Sequence, residues 1–135
     1  LNMLGQREPG IYGRTTLEDI KTLCEAAGKR LGFGIEFRQS NHEGDLVDWI
    51  QEANADGSAL IVNAGAYTHT SVALLDALKA VEVPVIEVHL SNIFARESFR
   101  NQAYVSPAAN GIICGFGSKG YELGLEAVAD MLSGQ

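Results

Sequence analysis

Chemically active side chains follow two apolar runs of the chain, at the points where buried strands should end. His89 and Ser91 come directly after the run Pro84–Val88, and the segment Asn63–His69 follows the run Ala59–Val62. In an open α/β sheet, ligands bind outside the carboxyl ends of the parallel strands. The two runs therefore predict a pocket at one edge of a sheet, lined by imidazole, hydroxyl and amide groups.

His89 could act as a general acid at this edge, because imidazole is the side chain that titrates closest to neutral pH. Glu87 lies two residues earlier, on the same side of a strand, where its carboxylate could orient the ring or stabilise its charge. A histidine in this position could equally be a structural residue with a satisfied hydrogen bond.

The residues after the run Pro84–Val88 could bind an anion. Leu90 and Ser91 precede a short predicted helix whose free N–H groups attract anions, although Ser91 or Asn92 could simply cap that helix. Arg96 and Arg100 are four residues apart and share a helical face. Guanidinium groups match carboxylates in geometry, but Glu97 allows a surface ion pair instead.

The N-terminal segment has the composition of a loop that could close over a site. Arg7 and Tyr12 lie there among Pro9, Gly10 and Gly13. A tyrosine is almost entirely protonated at neutral pH, so Tyr12 would need a nearby positive charge, such as Arg7, to act as a base. Tyr12 could instead serve only to anchor the loop.

Three further features are less specific. Asn63 offers a donor and an acceptor beside Gly65, where a ligand could approach the backbone, but it could also be a turn residue. Asp76 lies in a predicted helix, where an aspartate is ordinarily solvated or ion-paired. The segment Gly115–Gly120 resembles half of a dinucleotide-binding fingerprint, but it follows the last predicted strand and lacks an acidic partner downstream.

Helix and strand patterns alternate along the chain, which is typical of βαβ units with right-handed crossovers and a parallel sheet. A doubly wound sheet normally starts with a strand, so we expect a first strand to be missing before Leu1. Thr15 or Thr16 is predicted to cap the first helix, which ends at Gly32; Asn41 is predicted to cap the second, and Thr68 or Thr70 the third. The predicted strands are Phe33–Arg38, Ala59–Val62, Pro84–Val88 and Gly111–Gly115, and the later helices are Ser71–Val81, Ile93–Phe99 and Lys119–Leu132.

Composition limits the class of protein. A chain of 135 residues that is 46% hydrophobic predicts a single domain that needs neither disulfides nor metal. A net charge of −7 argues against nucleic acid or an anionic membrane as partner. Cys24 and Cys114 lack metal-binding spacing and are expected to be buried thiols in a reducing compartment. No apolar run approaches about 18 residues and no signal-peptide pattern opens the chain, so we expect a cytoplasmic protein.

Four blocks of the chain together resemble type II 3-dehydroquinate dehydratase: LNMLGQREPGIYG, QSNHEGDLVDWI, NAGAYTHTSVALLDAL and VIEVHLSNIFARESFR. The resemblance covers nearly the whole chain. It implies one flavodoxin-like catalytic domain over residues 1–135, a doubly wound parallel sheet with helices on both faces. It also implies a homododecamer, a tetramer of trimers, that reversibly dehydrates 3-dehydroquinate to 3-dehydroshikimate in the shikimate pathway, without cofactor or metal.

The resemblance also implies roles for individual residues. Tyr12 would be the base that removes the C2 proton, with Arg7 holding its tyrosinate form. His89, supported by Glu87, would protonate the departing C1 hydroxyl, and Asn63 would bind the water or oxygen that stabilises the enolate. Substrate contacts would come from His69, Leu90, Ser91 and Arg100, and from Asp76 of a neighbouring subunit.

The chain departs from the family pattern in three places. The first strand of the family and the GPN segment after it are absent, Ala64 replaces a proline in NPAAYTHT, and Asn101–Ala103 replaces a His and a Ser. We expect the last change to affect subunit packing more than catalysis.

The alternative is a non-catalytic flavodoxin-like module, either a nucleotide or flavin binder or a receiver-type signalling domain. A receiver would need an acidic cluster after its first strand, which the sequence does not contain. A flavin binder would need a phosphate loop entering its first helix, for which Gly13–Thr16 is a poor substitute.

Overall fold

Helical periodicity and continuous apolar runs become helices and strands in the computed structural model, which describes residues 15–95 and 104–133. The strands are β1 (Leu60–Val62), β2 (Val85–His89) and β3 (Gly111–Cys114). The helices are α1 (Leu17–Leu31), α2 (Glu43–Asp56), α3 (Val72–Lys79) and α4 (Lys119–Leu132), with short 3-10 helices at Gly65–His69, Ile93–Ala95 and Ser106–Ala108.

The strands form one parallel sheet in the order β1-β2-β3. Val62 is paired with Glu87, and His89 with Cys114. All five residues of β2 are buried, as expected of a parallel strand covered on both faces. The predicted α/β class, a doubly wound parallel sheet with helices on both faces, is confirmed.

Two apolar clusters cover the two faces of the sheet. Ile86 and Val88 pack with α1 and α4, and Val85 packs with α2, α3 and Val105. Helix α4 lies close to the strands because it presents glycines to them. A Cβ atom on Gly120 would lie 3.2 Å from Val88 Cγ1, and one on Gly124 would lie 3.4 Å from Ile61 Cδ1.

The first helix begins and ends as predicted. Thr16 and Asp19 form a reciprocal capping box at the start of α1, and Gly32 ends the helix with a left-handed φ of 88°. The predicted range of α4 is also confirmed.

Two predicted helix caps are wrong. Ser71 caps α3, with its Oγ accepting from Leu74 N, because Thr68 lies inside the preceding 3-10 helix and Thr70 ends it. His42 stands at the N-cap of α2 instead of Asn41, without a side-chain capping bond. The Asn41 side chain instead accepts a hydrogen bond from Gln39.

The predicted strand Phe33–Arg38 does not form among the described residues. Its side chains do alternate, with Phe33, Ile35 and Phe37 half-buried and the residues between them exposed. However, no backbone ladder joins this segment to β1, β2 or β3.

Other boundaries shift by one or a few residues. Strand β2 starts after Pro84 and includes His89, and β3 ends at Cys114 because Gly115 has a φ of 92°. Helix α3 stops at Lys79. The described part of the predicted helix Ile93–Phe99 is the single turn Ile93–Ala95, and the rest lies outside the described residues.

Both cysteines are free thiols; Cys24 is buried, whereas Cys114 is only half-buried. In the described parts of the chain, every helix is too short or too polar to cross a bilayer.

Candidate active site

A buried carboxylate and a buried imidazole lie together at the end of β2. Glu87 and His89 are two residues apart on one strand, so both side chains project from the same face of the sheet. Glu87 Oε2 lies 2.5 Å from His89 Nε2. The two residues are 0% and 4% exposed, so water does not separate them.

The second oxygen of Glu87 is also paired. Ser106 Oγ donates to Glu87 Oε1 over 2.6 Å, from the short 3-10 helix that precedes β3. Burying a carboxylate is unfavourable unless hydrogen bonds replace its hydration. Glu87 has one such partner on each oxygen, which offsets part of the cost of burying it.

Asn63 comes from the neighbouring strand. It follows Val62, which is paired with Glu87, so it lies at the same edge of the sheet as Glu87. The backbones of the two neighbouring strands are about 4.8 Å apart. Its Oδ1 accepts from Gly65 N over 3.1 Å, and its Nδ2 donates to the Tyr121 hydroxyl over 2.8 Å. These two bonds fix which way the amide faces.

Tyr121 stays neutral in this contact. Burial is the main cause that raises the pKa of its phenol to about 12. The hydrogen bond from Asn63 lowers this pKa by a smaller amount, and the negative charge of the Cys24 thiolate raises it slightly. At neutral pH the hydroxyl therefore accepts from Asn63 without adding negative charge to the site.

The segment after β2 is held by backbone and side-chain bonds. Leu90 is buried and its carbonyl accepts from Gly117 N over 2.9 Å, while Ser91 is half-buried. Asn92 Oδ1 accepts from Phe94 N, so capping of the following turn is done by Asn92. The described turn is only three residues long.

The other predicted site residues are divided between this edge, an outer helix and the undescribed parts of the chain. His69 is half-buried at the end of the 3-10 helix that follows Asn63. Asp76 is exposed on α3. Arg7, Tyr12, Arg96 and Arg100 lie outside the described residues.

Sequence reasoning missed the two supporting residues, Ser106 and Tyr121. Ser106 stands before a proline in a connection, and Tyr121 has the helical spacing of a core residue in α4. The one available signal was Glu87 itself, since an acidic residue inside a buried strand requires donors from another element.

A cleft of about 670 Å³ opens beside β1. Asn63 and Tyr121 line it together with apolar side chains of the extended segment, among them Phe33 and Ile35. His89 and Glu87 do not line it, so among the described residues the cleft meets the polar cluster at Asn63 and its partner Tyr121. Within residues 15–95 and 104–133, no three acidic, histidine or cysteine side chains are grouped as metal ligands.

Comparison with known proteins gives consistent results for sequence and structure. A family model described as dehydroquinase class II matches residues 1–129. The chain is 59% identical over 131 residues to 3-dehydroquinate dehydratase 1 of Agrobacterium fabrum and 60% identical over 131 residues to 3-dehydroquinate dehydratase of Phenylobacterium zucineum. Each alignment covers 97% of this chain and 90% of the relative.

Solved structures agree. The type II dehydroquinase from Propionibacterium acnes superposes with a TM-score of 0.92 at 43% identity, covering 96% of this chain and 89% of that one. A 3-dehydroquinate dehydratase-like protein from Bifidobacterium longum gives a TM-score of 0.74 at 37% identity, covering 87% and 89%.

Proposed function

The chain belongs to the class II dehydroquinase family, and we propose that it converts 3-dehydroquinate reversibly to 3-dehydroshikimate and water. The observation that carries the proposal is the buried Glu87–His89 pair at the sheet edge, with Asn63 on the adjacent strand. No observation favours the non-catalytic binding or signalling module over an enzyme.

We propose that His89 is the general acid. Loss of water from C1 needs a proton on the departing hydroxyl, and a histidine at a buried edge can deliver one. Glu87 supports His89 by orienting the ring and balancing the charge of its protonated form. Asn63 stabilises the enolate oxygen, directly or through water, with the amide N–H that Tyr121 leaves unused.

The base and the rest of the substrate contacts rest on the family resemblance. Tyr12 removes the C2 proton, which the neighbouring carbonyl acidifies, and Arg7 holds the tyrosinate. The substrate carboxylate binds at Leu90 and Ser91. His69 and Arg100 complete the contacts, and Asp76 reaches in from a neighbouring subunit.

Family membership also supports the wider setting of the reaction. We propose one catalytic domain over residues 1–135, assembled as a homododecamer that is a tetramer of trimers. It acts in the cytoplasm in the shikimate pathway and needs no cofactor or metal.

The first experiment is a direct assay. Purified protein is mixed with 3-dehydroquinate, and the ultraviolet absorbance of the conjugated enone in 3-dehydroshikimate is followed. His89→Ala should lose roughly 10²–10⁴-fold in rate, the usual contribution of a positioned acid. His42→Ala is the matched control, because His42 is exposed and its side chain makes no capping bond.

Each outcome is informative. Turnover by the wild type and His42→Ala, and its loss in His89→Ala, would support both the activity and the acid. Equal turnover by His89→Ala would remove His89 as the acid while leaving the activity. No turnover by the wild type would overturn the proposed function.

A further inference from the structure

We infer that Ser106 is a positioning residue for the proton donor: its hydroxyl holds Glu87 as an acceptor, and Glu87 thereby fixes the His89 ring. The inference rests on the proposed function, in which His89 is the acid. Ser106 itself acts only through Glu87.

The geometry gives each oxygen of Glu87 one partner. Oε1 accepts from Ser106 Oγ over 2.6 Å, and Oε2 lies 2.5 Å from His89 Nε2. The Glu87 side chain is fully buried, so no solvent can replace either partner. The three side chains therefore form a continuous hydrogen-bonded row from the 3-10 helix Ser106–Ala108 to the end of β2.

Counting protons assigns a direction to this row. An ionised carboxylate only accepts hydrogen bonds. The Ser106 hydroxyl therefore donates to Oε1, and the N–H at His89 Nε2 donates to Oε2. Nδ1 is then the ring nitrogen that faces the reaction. In the proposed step the Nδ1 proton of the protonated ring moves to the C1 hydroxyl oxygen, and the C1–O bond breaks with its electron pair going to that oxygen, which leaves as water. The enolate electrons form the C1=C2 double bond as the C3 carbonyl is regenerated. The ring becomes neutral and keeps its Nε2 proton, which stays hydrogen-bonded to Glu87.

Ser106 is held firmly enough for this role. Val105, beside it, is 0% exposed, and Tyr104 N donates to the carbonyl of Thr68 over 2.7 Å. On the other side, Asn110 exchanges two hydrogen bonds with the backbone of Val85, at 2.7 Å and 2.8 Å. The segment 104–110 is thus attached at both ends to elements that border the site.

Removing the hydroxyl should disturb the acid more than binding. In Ser106→Ala, Glu87 Oε1 would be a buried carboxylate oxygen with no donor from Ser106, so the carboxylate could turn about its remaining contact with His89. A turned carboxylate would no longer hold Nε2 in place. The ring would then be poorly oriented to protonate the departing hydroxyl.

The test compares steady-state rates of Ser106→Ala and the wild type. We expect kcat to fall by roughly ten- to a hundredfold, the range for a lost hydrogen bond to a charged group, with KM changed less than about threefold. Ser40→Ala is the matched control, since Ser40 Oγ also bonds a carboxylate, Asp45 Oδ2, over 2.6 Å but at the start of α2. Ser106→Thr keeps a hydroxyl and should recover most of kcat.

A second measurement separates positioning of the acid from general damage. The reaction is run in D₂O, and deuterium at C2 of the recovered 3-dehydroquinate is compared with the product formed. If only the acid step is slowed, the enolate returns to substrate more often, so the ratio of exchange to product rises in Ser106→Ala. Distortion of the whole site would lower exchange and product formation together and would overturn the inference.

A double-mutant cycle completes the test. If Ser106 acts through Glu87, adding Ser106→Ala to Glu87→Gln should lower kcat by less than about twofold. Additive losses in the double variant would overturn the inference, and so would a wild-type kcat in Ser106→Ala. Neither result would affect the proposed function as long as the wild type turns over 3-dehydroquinate. Should Ser106→Ala fail to fold, Ser106→Cys, with a weaker donor of similar size, takes its place in every comparison.

Discussion

Two polar side chains at the sheet edge, Glu87 and Asn63, are each held by a side chain from a different element. Ser106 bonds Glu87 from the connection before β3, and Tyr121 bonds Asn63 from α4. A catalytic group that is already oriented does not have to be ordered when substrate binds. The orientation of Glu87 and Asn63 therefore depends on two uncharged residues, Ser106 and Tyr121.

Tyr121→Phe should lower activity by releasing the Asn63 amide. Without the hydroxyl, Nδ2 loses its 2.8 Å partner and the amide can turn about its remaining bond to Gly65. We expect kcat/KM to fall about tenfold, the effect of roughly 1.4 kcal/mol. Tyr67→Phe is the control, because the Tyr67 hydroxyl bonds the carbonyl of Asn41. Unchanged kcat/KM in Tyr121→Phe would mean that Asn63 needs no support.

The same substitution should change the alkaline stability of the protein. The folded state keeps the Tyr121 proton up to a pKa of about 12, whereas the unfolded chain releases it near the ordinary tyrosine pKa of 10.0. Because the folded state then binds more protons, the free energy of unfolding is highest below pH 10 and falls as pH rises towards 12. Urea titrations between pH 8 and about 11 should show a shallower fall in Tyr121→Phe than in the wild type. Equal falls would contradict the assignment.

At the level of elements, local signals predicted well and distant ones did not. The cap at Thr16, one of the two threonines predicted for it, the stop at Gly32 and the full range of α4 depend on neighbouring residues, and all three were predicted. The parallel direction of the strands followed from their alternation with helices. His89 was expected just after a strand and is its last residue, because it is paired with Cys114 of β3.

The errors share a physical cause. Ser71 outcompetes Thr68 and Thr70 as the cap of α3 because the chain first makes a 3-10 turn, which the threonines occupy. The segment Phe33–Arg38 has a strand pattern, but pairing depends on a neighbour and not on its own sequence. The bond from Ser106 to Glu87 joins residues 19 positions apart, so neither local pattern contains it.

Ser71→Ala should destabilise the fold more than the loss of a cap alone. Ser71 is 2% exposed, caps Leu74 N over 2.9 Å, and also bonds the Glu43 carboxylate of α2. We expect a loss of about 2–3 kcal/mol, from a cap worth about 1 kcal/mol and a partly buried charged hydrogen bond. Thr16→Ala, which removes a cap at an exposed position, should cost about 1 kcal/mol. Equal losses in urea unfolding would show that the bond to Glu43 contributes nothing.

For the whole molecule, the main question is how Asp76 could reach a site that contains Glu87 and His89. Asp76 is exposed on α3, whereas Glu87 and His89 are buried at the sheet edge. The proposed dodecamer resolves this separation by letting Asp76 of one subunit complete the site of its neighbour. A stable monomer in light scattering would contradict both the assembly and this role.

Subunit complementation tests the proposal directly. Asp76→Ala and His89→Ala chains, each nearly inactive alone, are co-expressed with different tags and purified as mixed oligomers. With random assembly, roughly a quarter of the sites combine an intact Asp76 with an intact His89, so about a quarter of wild-type activity should return. Glu87→Gln mixed with His89→Ala is the control and should restore nothing, since both residues belong to one subunit's site. No gain in the first mixture would place Asp76 outside the neighbour's site.

Gly120 and Gly124 make the thermostability of this protein difficult to improve by the usual route. Exchanging helical glycines for alanine is a standard way to strengthen a helix. In α4, however, a methyl group on Gly120 would lie 3.2 Å from Val88 Cγ1, so Val88 or the helix would have to shift by a few tenths of an ångström. A shift of the helix would carry Tyr121 away from Asn63. An engineering programme that ranks variants by helix propensity alone would therefore select a firmer helix at the expense of the bond that orients the Asn63 amide.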